Sequence, residues 1–371
     1  MASEPPANTP TQRAVENLAW KLRRRQIVGS RATALETLLV LRQVISKSRF
    51  SSMEQLVTII RGVGRRLVEA QPKEHSVGNT VRKVLHHIRE EYNTATKGTA
   101  VTLSSGFSIS KFVLLGQPRK QSAPTKAENK GTLKENDPDD PDSFARSLKP
   151  VLMEAIQDVL DELETVYDNV SKSASNHIHS DEIILTLGMS KTVEHFLISA
   201  AHNRNYTVMV LETAPSYGGR DMAKTLSEAG ISTFLVPDSS LYGLMSRVNK
   251  VILGAHAILA NGGMFAITGS LLAATAAHEH CTPVVVCAGQ FKLTPLWNLY
   301  HEYGALDFGD PSQVLGFEEG SLVDKVDVVN PFYDYVQPNF IDAYITNDGD
   351  HPPSSIYRLI KETYDDEDML L

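Results

Sequence analysis

Four places in this 371-residue chain set chemistry-bearing side chains close together. His278, Glu279, His280 and Cys281 are the donor types that bind zinc. Ligands must converge on one point, usually at i, i+4 on a helix, whereas these four end a helix just before an apolar strand. Histidine also suits the negative end of a helix, so a helix terminus is the expected role and no metal is expected. GMSKT (188–192) and YGGRD (217–221) each place glycine near a helix start, with Ser190, Lys191 and Arg220 alongside. Backbone N–H groups there can hold an anion, although neither run has P-loop spacing and both also serve as ordinary β–α turns. A basic cluster comprises Arg61, Arg65 and Arg66 in RGVGRR and the pair Arg82–Lys83. RNA readers add exposed stacking aromatics or an RNP-like motif, which this region lacks. An acidic or phosphorylated protein face is therefore the expected partner, with solvated helix faces and helix-packing ion pairs as the plainer alternative.

The fourth place is the most informative. Lys250 to Gly289 reads strand, glycine-rich turn, helix, strand, the layout that cradles phosphate in nucleotide and sugar-phosphate enzymes. Yet no carboxylate lies between Lys250 and Ala277, and the next cation after Lys250 is Lys292. A site that polarises or protonates a phosphorylated substrate needs such groups within reach. His256 alone can act as acid or base. Without Cys, Lys or Arg partners, a packing or interface role is expected for it.

The elements that position these residues follow from apolar spacing. Leu56, Ile59, Ile60, Val63 and Leu67 form one helical stripe, and Val81, Val84, Leu85, Ile88 and Tyr92 another, with Pro72 breaking between them. Residues 1–12 and 117–143 are polar and proline-rich and are expected to be disordered, bounding a helical domain at 13–116. Leu148, Leu152, Ile156, Val159, Leu160 and Leu163 predict a connecting helix over 144–175. From residue 176 to 371 the pattern turns to short β-rich runs at 183–187, 207–212, 233–237, 250–254, 283–287 and 343–346. Helices of about a dozen residues are expected between the first five, which predicts a doubly wound, mainly parallel sheet in an α/β domain.

Apolar content of 42% and charged content of 22% suit a soluble globular protein of two to three domains. Two cysteines build no disulfide framework and fit a reducing compartment. The start MASEPPANTPTQ carries no signal-peptide pattern, and no apolar run approaches the ~20 residues of a membrane span. A cytoplasmic protein is expected, with no membrane contact. The net charge of −8 hides an asymmetry: residues 1–100 hold 17 Lys and Arg against 8 Asp and Glu, and residues 176–371 hold 10 against 24. Such a split suggests different partners for the two parts, or attraction between subunits, with solvated helix faces as the plainer alternative.

The C-terminal half resembles the family that joins methylthioribose-phosphate isomerases, ribose bisphosphate isomerases and the regulatory subunits of translation initiation factor 2B. The resemblance implies a Rossmann-like oligomerisation domain. It also implies where isomerase chemistry would sit. The cysteine position, in a T-H-C-N-like run, falls on Gly188 of LTLGMSKT, and the proton-donating aspartate of G-A-D-R falls on His256 of GAHA. The substrate-binding Asn-Lys pair falls on Ala266 and Ile267, and the phosphate-binding arginine of E-T-R-P on Ala214. Gly188, Ala214, His256, Ala266 and Ile267 are thus expected to be a degenerate ancestral site without catalytic residues or cofactor.

GRRLVEAQPKEHSVGNTVRKVLHHIREEY (64–92), SRVNKVILGAHAILANGG, FKLTP and PPSSIYRLIKE narrow the resemblance to the beta-subunit branch of that family. It implies a non-catalytic regulatory subunit of the guanine-nucleotide exchange factor for initiation factor 2, in which a different subunit performs the exchange. The implied partners are the delta, alpha, gamma and epsilon subunits of initiation factor 2B, and initiation factor 2 itself, chiefly its alpha subunit, whose phosphorylation the complex senses. The basic residues Arg61, Arg65, Arg66, Arg82 and Lys83 are the candidate contacts. No direct nucleic-acid binding is expected. The alternative is an active sugar-phosphate isomerase with rearranged chemistry; a third, an RNA-binding module, lacks its motifs.

Overall fold

Five helices carry the apolar stripes of the N-terminal part: α1 (Pro10–Arg23), α2 (Ser30–Lys47), α3 (Met53–Ala70), α4 (His75–Lys97) and α5 (Pro141–Ser171). The computed structural model describes residues 10–97, 141–297, 307–369 and 371. The expected stripes face inward, with Leu56, Ile60, Leu67, Val81, Val84, Leu85 and Ile88 buried. At the start of α3, Ser52 accepts the Gln55 amide while the Gln55 side chain accepts the Ser51 amide, so a reciprocal cap fixes where the helix begins.

Two expected boundaries shift. Residues 10–12, expected in a disordered tail, open α1, because proline at the first helical position sacrifices no hydrogen bond. Residues 141–143, expected in the insertion, form the first turn of α5. The remaining expected disorder, at 1–9 and 117–140, lies outside the described residues, as does 98–116 of the expected helical domain.

Helix α5 lies between the layers. Its buried Leu152, Ile156, Leu160 and Leu163 belong to one apolar cluster with Leu38, Leu56 and Leu85 of the helical part and Phe196 and Val208 of the sheet domain. A single turn, α6 (Ala174–His177), then leads into a seven-stranded sheet. Its order is β11-β10-β7-β4-β1-β2-β3, with β1 (Ile183–Leu187), β2 (Thr207–Leu211), β3 (Ser232–Val236), β4 (Lys250–Gly254), β7 (Val284–Cys287), β10 (Ala343–Thr346) and β11 (Gly349–His351). All pairs are parallel except β10–β11. Helices α7 (Lys191–Ala201) and α8 (Gly218–Glu228) cover one face. The other face is covered by α9 (Leu241–Met245), α10 (Ser270–Glu279) and α11 (Ile356–Thr363). The six expected strands are found within a residue of their expected bounds, and the sheet is doubly wound.

The links between strands depart from expectation in two places. Only a 3-10 turn (Asp238–Ser240) and the five-residue α9 join β3 to β4. Between β4 and β7, the stretch read as a glycine-rich turn is itself a hairpin of β5 (Ala257–Leu259) and β6 (Met264–Ile267). It reverses at Asn261-Gly262-Gly263, where Gly262 has a φ of +81° and the Pro353 carbonyl leaves no room for a Cβ. Asn-Gly is a hairpin signal in its own right, and it outweighs a reading of the glycines as a phosphate cradle. With β8 (Leu293–Thr294) and β9 (Tyr333–Val336) the hairpin forms a second sheet, ordered β8-β5-β6-β9.

Candidate functional site

From β1 the main sheet runs outward through β2 and β3, then the chain crosses back to β4 and continues the other way. The carboxyl ends of β1 and β4 therefore flank the switch point, where doubly wound folds bind their ligands. Gly188 follows β1, and His256 lies two residues past β4. Ala266 and Ile267 end β6, and Ala214 lies in the loop after β2. The five positions implied by the resemblance come from the ends of four strands.

This crevice is filled by the chain's own side chains. Gly188 has a φ of +64°, and a Cβ built there would lie 2.9 Å from Cδ1 of Ile267 and 3.2 Å from its Cγ2. Across the switch point, a Cβ at Gly254 would collide with Ser190 Oγ, so the loops after β1 and β4 are in direct contact. Ala266 is fully buried in β6.

Backbone donors that could hold an anion are also engaged. The Thr213 and Ala214 amides donate to the two carboxylate oxygens of Asp238 at 2.9 and 2.7 Å. At the start of α10 the Gly269 and Leu271 amides donate to Asp334 Oδ2 at 2.7 and 3.3 Å. A carboxylate thus stands at the positive end of that helix, where a phosphate would otherwise bind. Burial raises the Asp334 carboxyl, and the two amides oppose that rise. Of the two turns first read as anion candidates, Lys191 pairs with Glu194 at 2.7 Å, and Arg220 pairs with Glu212 at 3.3 Å and stacks on Tyr217.

His256 joins the two parts of the molecule. Its Nε2 donates to the Lys73 carbonyl at 3.2 Å, which leaves Nδ1 to accept the Ser30 hydroxyl at 3.3 Å. Its ring stacks on Tyr333 with centroids 4.1 Å apart. Burial pushes its proton affinity down, with Glu74 opposing from 4.0 Å, so the imidazole stays neutral. Beside it, Lys292 donates to the Ala255 carbonyl at 2.6 Å, and burial lowers its ammonium to about 8. A cavity of about 70 Å³ lies at this junction, lined by Arg25, Lys73, Glu74, His256, Asp307 and Tyr333.

The basic candidates lie elsewhere, on α3 and α4. Arg66 forms a two-pronged pair with Glu16, and Lys83 pairs with Glu162. Arg61 pairs with Asp368, and Arg82 is buried against the Asp368 and Met369 carbonyls. Arg65 is exposed and makes no ion pair among the described residues. His278 meets Phe340 and His280 meets Tyr242, so neighbours in sequence point to different places. Sequence reasoning missed Asp238, Asp334 and Tyr333, which have no local pattern. It also missed the partners of Arg61 and Arg82, which lie about 300 residues away along the chain.

Known proteins align with this architecture throughout. Residues 26–353 match the family model described as the Initiation factor 2 subunit family. Translation initiation factor eIF2B subunit beta of Schizosaccharomyces pombe is 40% identical over 394 residues, covering 97% of this chain and 98% of that protein. A ribose 1,5-bisphosphate isomerase of Pyrococcus furiosus is 28% identical over 220 residues, covering 59% of this chain and 68% of that enzyme. The crystal structure of eIF2B beta from Chaetomium thermophilum superposes with a TM-score of 0.71 at 29% identity, covering 97% of this chain and 94% of that one. A chain of the tetrameric eIF2B-beta2-delta2 complex from C. thermophilum does so with a TM-score of 0.70 at 27% identity, covering 96% of each. Among the described residues, no helix is long and apolar enough to cross a membrane.

Proposed function

The chain belongs to the Initiation factor 2 subunit family, and from that premise we propose that it is a non-catalytic regulatory subunit of the guanine-nucleotide exchange factor for initiation factor 2. Its reach to an eIF2B beta subunit over nearly its full length, against partial and weaker identity to the isomerase, supports the regulatory reading. The single observation that carries the non-catalytic part is Ile267 standing over Gly188 at the switch point. A nucleophile and a phosphorylated substrate would both need that space. The isomerase reading has the shared fold in its favour and needs a chemistry that none of Gly188, Ala214, Ala266 and Ile267 supplies.

The partners follow from the family. A homologous subunit of delta type is the proposed neighbour of the edge strand β3, where Phe234 and Leu235 are exposed. Tyr242 on α9 and Leu272 on α10 are exposed as well. Their apolar area suits an obligate interface. Alpha, gamma and epsilon subunits complete the assembly, in the cytoplasm, with initiation factor 2 as the shared substrate. Sensing of its phosphorylated alpha subunit by the basic helical part remains our proposal. Of the five candidates, we favour Arg65, which is exposed and makes no ion pair among the described residues.

The test is co-expression with a delta-type subunit followed by native mass spectrometry and a guanine-nucleotide release assay on the complete assembly. A stable hetero-oligomer is expected, with release activity that requires the assembly and no turnover of methylthioribose phosphate or ribose bisphosphate by this chain. Isomerase turnover above a buffer blank, lost on changing His256 to Ala, would falsify the non-catalytic reading.

A further inference from the structure

The last described residues fold back across the molecule onto α3 and α4. After α11, Tyr364 is buried with its hydroxyl donating to the Leu293 carbonyl at 2.8 Å, and Asp366–Asp368 form a tight 3-10 turn. The Asp368 side chain is fully buried; it accepts Arg61 Nε at 2.7 Å and pairs with Arg89. Arg82, itself buried, donates from Nε to the Asp368 carbonyl at 3.0 Å and from Nη2 to the Met369 carbonyl at 3.1 Å. Arg89 also donates to Asp365 at 2.6 Å and to Glu367 at 3.3 Å, and His86 Nδ1 lies 3.2 Å from Asp365. Leu371 packs on the main apolar cluster.

Arg82 and Arg89 are seven residues apart, two turns along one face of α4, and Arg61 approaches from the neighbouring α3. Three guanidinium groups of the helical part thus converge on one short acidic run of the sheet domain. A buried carboxylate is costly to desolvate and is held only while its partners are all in place. The contact also has a wet edge: the Glu367 side chain is 77% exposed and that of Arg61 31%.

We propose that Arg61, Arg82 and Arg89 form a receptor for an acidic segment, that its occupant here is Asp365–Met369 of the same chain, and that occupancy fixes how the helical layer is seated on the sheet domain. The arrangement is distinct from the His256 bridge, which joins the two parts through the loop between α3 and α4 and the start of α2. Both hydrogen bonds that Arg82 gives to the run go to backbone carbonyls, so the receptor reads the turn's shape as well as its charge.

Hydrogen exchange of the full chain tests this directly. In Asp368→Asn and in the triple variant Asp365→Asn, Glu367→Gln, Asp368→Asn, amides of α3 and α4 are expected to exchange at least about tenfold faster, with those of β1 and β4 unchanged. A synthetic peptide of residues 364–371 added to the triple variant restores the protection of α3 and α4. Arg61→Gln, which removes only a half-exposed partner, gives a smaller change in the same amides if the buried variants do not fold. Unchanged exchange in α3 and α4, equal loss of protection in β1 and β4, or failure of the peptide to restore it would each overturn the proposal.

Discussion

At Gly188 a positive φ and the side chain of Ile267 leave no place for a thiol. Restoring it as Gly188→Cys is expected to destabilise the fold by about 2 kcal/mol, from backbone strain plus overpacking, without creating isomerase turnover. Urea denaturation and a turnover assay on the same preparation decide the matter: an undiminished midpoint would mean Ile267 yields freely. Lys292 offers a pH signature. Its folded value of about 8 lies below the ordinary 10.5, so the charge opposes folding. The stability tied to neutral Lys292 is present above the unfolded value and is lost as pH falls from there towards 8. Relative to Lys292→Met, the native chain should therefore gain stability between about pH 7.5 and 9.5, as measured by denaturation at both.

Helix α10 shows how an element satisfies its own terminal donors. Its first amides point at Asp334 of β9, so Asp334→Ala removes an N-terminal cap and is expected to cost about 1 kcal/mol, read as a lowered Tm, with Asp334→Asn retaining part of that loss. The helix itself was legible in the sequence, as were the parallel strands, since β1, β4, β7 and β10 each bury a nearly continuous run such as ILTL or VVVC. The second sheet was not. Its strands β8 and β9 are two and four residues long and lie about 40 residues apart, so no local period announces them. The candidate site was legible only as departures from a family pattern. The carboxylates that occupy the backbone donors there could not be read, since Asp238 meets Ala214 from 24 residues away and Asp334 meets Gly269 from 65.

For the whole molecule, the charge asymmetry has a visible internal outlet. Part of the excess of the first 100 residues is matched within the chain by the acidic run after α11, and another part by Glu162. On the proposed assembly, association with a delta-type partner then rests more on the exposed apolar side chains of β3 and α9 than on net charge. Phe234→Glu combined with Tyr242→Glu is expected to weaken pairing with a delta-type subunit at least about tenfold while leaving thermal unfolding of the chain within about 1 kcal/mol of native. Analytical ultracentrifugation of the co-purified pair measures the first, and calorimetry the second. Retained pairing would move the interface to another face.

If the chain is the non-catalytic subunit proposed above, the packing of Ile267 over Gly188 also orders its history. A cysteine regained first would meet Ile267, and a lysine regained first at 267 would set an ammonium against the apolar cluster that Ile267 now joins. An aspartate regained at 256 would forfeit the donor to Lys73 and place a second carboxylate beside Glu74. Each single reversion lowers stability before any of them can return turnover. On the non-catalytic reading proposed above, ordinary purifying selection on folding is then enough to act as a ratchet against the return of enzyme chemistry, even where the substrate is abundant.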